Sequence, residues 1–125
     1  MMKTGYSSME IDELLKRFEK ACLEQYDTYI TDDFDKFNAN FQILVSITDE
    51  LKARGPDARR SLLPLLSNNN RQVRLQAAKC VYPVAQGETK KCLQDLAAAQ
   101  FPDDQSLSAG MCLYRLEEDP ACLDH

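Results

Sequence analysis

The stretch from Arg60 to Ala85, RSLLPLLSNNNRQVRLQAAKCVYPVA, constrains the fold of this chain more than any other. Leu62, Leu63, Leu65 and Leu66 form one apolar cluster, and Ser67 to Asn70 are capping and turn residues. Val73, Ala77, Cys80 and Val84 then recur at helical spacing. The pattern predicts a helix, a tight turn and a second helix. A lone pair of helices cannot bury both of its apolar faces, so such a hairpin is expected to pack against similar pairs.

The flanking sequence supplies further helices. Ser7 or Ser8, followed by Glu10 and Asp12, reads as a capped start for a first helix running to about Tyr29. Its apolar stripe is Ile11, Leu14, Leu15, Phe18, Cys22 and Tyr26. Thr31, Asp32 and Asp33 break the chain and start a second helix, whose stripe of Phe34, Phe37, Phe41, Leu44, Val45, Thr48 and Leu51 is expected to face the core. Gly55 and Pro56 end it near Arg54. A third helix is expected from Pro56 to Leu66, kinked at Pro64. A fourth runs from the asparagines to about Val84, with Gln72, Gln76, Lys79 and Pro83 toward solvent and Arg74 and Tyr82 at the border. Gly87 marks a turn before a fifth helix, Glu88 to about Ala99, with Cys92, Leu93, Leu96 and Ala97 inward. Asp103 or Asp104 caps a sixth that buries Leu107, Gly110, Met111, Leu113 and Tyr114 up to Leu116. Six helices joined by short turns predict an all-α fold of three antiparallel pairs. One domain spans residues 1–125, with an ordered core of about 7–117 and an acidic tail over 118–125.

Charge is unevenly placed. Residues 1–50 hold 5 basic and 11 acidic side chains, residues 51–91 hold 9 and 2, and residues 92–125 hold 1 and 7. Either helix packing neutralises these blocks locally, or the basic middle meets an acidic partner. No signal-peptide core and no run of about 18 apolar residues is present, so the chain reads as cytoplasmic, with no membrane contact. Five cysteines, an odd number without a CxxC pair, fit reduced thiols. Cys22, Cys80, Cys92 and Cys112 fall on apolar stripes and read as small core residues. Cys122 and His125 form a terminal CxxH, but no second pair completes a tetrahedral zinc site. The acids Asp32, Asp33 and Asp35 lack the glycine and distal glutamate of a calcium loop, and suit a helix N-terminus.

No enzymatic chemistry emerges. The single histidine is the last residue, and there is no GxSxG, HExxH or phosphate-binding loop. The acidic pairs Asp49–Glu50, Asp103–Asp104 and Glu117–Glu118 read as exposed or capping residues. We therefore assign no catalytic residue, no metal ligand and no cofactor. Nucleic-acid binding through Lys52, Arg54, Arg59, Arg60, Arg71, Arg74 and Lys79, or small-molecule binding, stands as the alternative to protein binding. Against nucleic acid stand the acidic total and the absence of tryptophan.

The segments LLPLL, the asparagine turn and VRLQAA resemble a HEAT repeat, with a kinking proline in its first helix and a Val-Arg-x-x-Ala-Ala second helix. Over nearly its whole length the chain is similar to a family of small bacterial HEAT-like domains of unknown function. Phe18, Tyr26, Asn38, the ITDEL of Ile47 to Leu51 with Arg54, the central hairpin and the LYRLE of Leu113 to Glu117 carry that resemblance. It implies a short α-solenoid of three stacked pairs, with Arg74 tying neighbouring repeats together. The implied role is protein binding, with an immunity or adaptor protein as the analogue and a specific protein, acidic or a toxin, as the partner. The second helix of each pair normally lines the concave side, which makes Gln72, Gln76, Lys79 and Tyr82 the expected partner-binding residues.

Overall fold

The computed structural model describes residues 5–100 and 102–123, and among these the regular structure is entirely helical, with six α-helices and no strand. The helices are α1 (Ile11–Thr31), α2 (Phe34–Ala53), α3 (Pro56–Arg60), α4 (Arg71–Val81), α5 (Gln86–Ala97) and α6 (Asp104–Glu118). Two compact units divide the chain, Met1–Ser61 and Leu62–His125.

In the first unit α1 and α2 form an antiparallel hairpin. Tyr29 meets Phe37 edge-to-face at 5.8 Å near the connection, and Arg54 reaches back to Met9 at the far end. The two-residue link works because Asp32 takes the left-handed conformation, φ 55°, that closes α1, while the Asp33 carboxylate caps α2 by accepting from Lys36 N at 3.0 Å. Leu14, Phe18, Ala21 and Cys22 of α1, and Leu44, Ile47 and Leu51 of α2, are buried. Three buried polar side chains in the hairpin, Gln25, Thr28 and Asn40, bond to backbone carbonyls of their own or the partner helix. The start of α1 differs from the sequence reading. Ser7 and Ser8 lie in a 3-10 turn, Gly5–Ser8, and the Ser8 hydroxyl is spent on the Gly5 carbonyl, so α1 begins at Ile11 after an N-cap Glu10 without a side-chain cap. The Arg54 guanidinium gathers that turn by donating to the carbonyls of Tyr6, Ser7 and Met9 at 3.1, 3.4 and 2.7 Å. Gly55, at φ 106°, supplies the positive dihedral between α2 and α3 that a side chain would resist.

The expected kinked third helix is instead two pieces, α3 and a 3-10 turn over Leu63–Ser67. Pro64 takes the first turn of the second piece, where its missing N–H costs nothing. In the second unit, Asn70 caps α4 by accepting from Gln72 N and Val73 N at 2.9 and 3.2 Å. Pro83 ends α4 in a short 3-10 turn, Tyr82–Val84. Helix α5 starts two residues earlier than expected, with Gly87 inside its first turn. The core gathers Leu75, Ala78 and Tyr82 with Cys92, Leu93 and Leu96 and with Ala109, Cys112 and Leu116, one set from each successive segment.

Two polar links hold this unit together. The Arg71 guanidinium grips both oxygens of Asp103, at 2.5 and 3.1 Å, and donates to the Leu96 carbonyl at 3.0 Å, joining the start of α4, the end of α5 and the start of α6. Gln105 Nε2 donates to Gln72 Oε1 at 3.0 Å inside the unit. The bridging arginine is thus Arg71. Arg74, expected to tie repeats, buries an Nε with no hydrogen-bond partner among the described residues.

Candidate partner-binding face

The four residues expected to bind a partner do not form a surface. Gln72 is 0% exposed, Gln76 7% and Tyr82 2%, so the expected solvent stripe of α4 is interior. The physical reason is local for two of them: Gln72 is tied to Gln105, and Tyr82 packs into the apolar cluster with Leu93 and Leu96. Lys79 alone is half-exposed, and its Nζ lies 3.3 Å from Ser108 Oγ. Burial lowers its pKa from the usual lysine range, partly opposed by the Cys112 and Cys80 thiols.

The apolar stripe assigned to α6 fails at three positions, while Leu113 packs against the core as expected. Leu107, Met111 and Tyr114 are exposed, at i, i+4 and i+7, while Gln105, Ser106, Ala109, Cys112 and Leu116 turn inward. The small Ala109 and Cys112 let α6 sit close to its neighbours, and the two polar residues are satisfied by Gln72 and Asp103.

A larger exposed apolar surface lies on the α1–α2 hairpin. Leu23, Tyr26, Tyr29 and Ile30 of α1 are exposed, as are Phe34, Phe41 and Val45 of α2. Ile30 at 83% and Phe34 at 73% stand almost free of the protein. At 3.6 residues per turn, Leu23, Tyr26 and Ile30 lie roughly 120° around α1 from its buried stripe, and Phe34, Phe41 and Val45 lie roughly as far around α2, in the same rotational sense. Antiparallel neighbours displaced in the same sense present those stripes on one side of the hairpin. The Tyr29–Phe37 contact closes the seam between them. The result is an exposed apolar face over the tip-side half of both helices.

Sequence reading placed Phe34, Phe41, Val45 and Tyr26 on core-facing stripes. The signal for the alternative was the width of those stripes: on α2, Phe34, Phe37, Phe41, Leu44, Val45, Thr48 and Leu51 cover a wider arc than one packing face can bury, and only Leu44 and Leu51 of that set are buried. Leu23 and Ile30 belonged to no expected stripe.

Three arginines of the middle segment are in ion pairs and a fourth is buried, while Lys52, Lys90 and Lys91 are exposed. Arg54 pairs with Glu50, Arg60 with Asp57 and Arg71 with Asp103, and Arg59 is buried. A cleft lined by Ser7 to Asp12 and Arg54 sits at the start of α1, but the guanidinium there already serves three carbonyls. Among the described residues no group of three His, Cys, Asp or Glu side chains could hold a metal ion, and the His125 of the terminal CxxH lies outside them. None of the five cysteines is in a disulfide, and Cys22, Cys92 and Cys112 are buried. Among the described residues no helix is long and apolar enough to cross a membrane.

No curated protein matches the sequence. The crystal structure of the protein RPA1889 from Rhodopseudomonas palustris CGA009 is similar, with a TM-score of 0.88 at 36% sequence identity, covering 94% of this chain and 96% of that one. The family model described as Domain of unknown function (DUF2019) matches residues 12–117, and the chain belongs to that family.

Proposed function

We propose that this chain is a non-enzymatic protein-interaction module of the cytoplasm, an adaptor or immunity-type protein, whose helix pairs stack as a short HEAT-like solenoid and whose α1–α2 hairpin carries the docking face. The observation that carries the reading is the exposure of Leu23, Tyr26, Ile30, Phe34, Phe41 and Val45 on one side of two antiparallel helices. Covering an Ile or Phe side chain is worth about 1.5–3 kcal/mol, and a contiguous apolar patch of this kind on a small protein is the usual mark of a contact surface. Aromatic residues supply much of it, which suits a binding surface because they offer large contact area for few rotatable bonds. The engaged arginines of the middle segment argue against the nucleic-acid alternative.

The test is affinity capture from native cells at physiological salt, with the tagged protein and with an Ile30→Ser/Phe34→Ser variant. One stoichiometric protein is expected with the wild type and is lost with the variant, while circular dichroism shows the variant folded. Retention of the same protein by the variant would refute the face. Recovery of the tagged chain alone would refute the module.

A further inference from the structure

We infer that the occupant of the hairpin face is a cationic amphipathic helix, apolar on one side and bordered by Lys or Arg. The inference rests on the docking reading above and adds the chemistry of the partner. An amphipathic helix laid along such a face by its apolar side is an ordinary way of covering it. The exposed apolar residues run over Leu23–Ile30 of α1 and Phe34–Val45 of α2, at most about 17 Å, so a partner helix of about three turns covers the face.

Charge selects the partner. Around the tip of the hairpin stand Glu24, Asp27, Asp32, Asp33 and Asp35, against Lys20 and Lys36. Asp27, Asp32, Asp33 and Asp35 are exposed, and among the described residues none of them stands in an ion pair. Ile30 and Phe34, the two most exposed large apolar side chains, sit amid these acids. An apolar centre with an unneutralised acidic border attracts a segment of the opposite design. A second copy of this chain would bring acids against acids, in a protein whose formal net charge is already −5. An anionic lipid surface meets the same repulsion.

The experiment measures fluorescence anisotropy with a labelled amphipathic peptide of about 18 residues built from Leu and Lys, long enough to cover the face, and with its Leu/Glu counterpart. The Leu/Lys peptide is expected to saturate at one per chain, and the Leu/Glu peptide not to bind. Ile30→Ser/Phe34→Ser should weaken binding at least tenfold, roughly the loss expected for central anchors. Asp27→Asn/Asp35→Asn should weaken it several-fold and flatten its salt dependence. Equal binding of both peptides, lost on Ile30→Ser/Phe34→Ser, would overturn the cationic partner and leave the face standing. Leu/Lys binding indifferent to Ile30→Ser/Phe34→Ser would overturn both. A wild-type dimer in sedimentation that those substitutions dissolve would make the occupant a second copy, and flotation with phosphatidylglycerol vesicles lost on the same substitutions would make it a membrane. Either result overturns the proposal.

Discussion

Asp103→Ala should be among the most informative single substitutions in the second unit, because one carboxylate performs two tasks. It accepts from Ser106 N at 2.7 Å while the Ser106 hydroxyl accepts from Asp103 N at 2.8 Å, a complete capping box for α6. It also receives both arms of Arg71. Losing the cap costs about 0.5–2 kcal/mol. The ion pair is bidentate, but its side chains are 26% and 36% exposed, so solvent screening holds it to about 1 kcal/mol or less. The expected loss is about 2 kcal/mol, or a fall in Tm of about 8 °C for a chain of this size. Asp103→Asn keeps an oxygen for the cap and loses the charge, so it should cost about half as much, and a double-mutant cycle with Arg71→Met should return a coupling of about 0.5–1 kcal/mol. Burial by itself would raise the Asp103 pKa, but the Arg71 hydrogen bonds and then the Ser106 backbone bond outweigh it and hold the carboxyl below the usual range. Because the folded pKa is the lower one, the stabilisation is full above the unfolded value of about 4 and fades as pH falls through the folded one. Urea unfolding followed by circular dichroism should therefore show the gap between wild type and Asp103→Asn closing in acid. Equal losses for the Ala and Asn variants, zero coupling, or a gap that widens in acid would refute the reasoning.

Tyr82→Ala removes a 2%-exposed ring from the cluster with Leu93 and Leu96, so it should cost about 3–5 kcal/mol in urea unfolding. Phe34→Ala should change stability by no more than about 0.5 kcal/mol, and the reverse order would invalidate the assignment of core and face. Burial pushes the Cys92 and Cys112 thiols above the usual range, which leaves little thiolate at neutral pH. With iodoacetamide on the folded protein, the half-exposed Cys122 should therefore be alkylated well before either of them, with all five reacting in urea, and native labelling of Cys92 as fast as Cys122 would count against the packing.

What could be read from the chain follows from the range of the forces involved. Helix boundaries depend on neighbours within a turn, so Asp33, Gly55, Asn70, Pro83 and Asp103 announced starts and stops that the structure keeps within a residue or two. Faces depend on what a helix meets, and that is set by residues far away in sequence. Gln72 and Gln105 each look like solvent residues alone; they are interior because each has an amide for a partner across 33 positions. Once those amides are satisfied inside, α6 no longer needs Leu107, Met111 and Tyr114 for its core, and they turn outward. The same logic explains the hairpin. Its buried stripe of Leu14, Phe18, Leu44, Ile47 and Leu51 is enough to hold α1 against α2, so Ile30 and Phe34 contribute nothing to that packing. Apolar residues that the fold does not use keep their cost in water until something covers them, and the acids around them set the charge of what can do so. A candidate site in this chain was therefore to be found as surplus: the apolar residues left over after each helix had filled its one packing face.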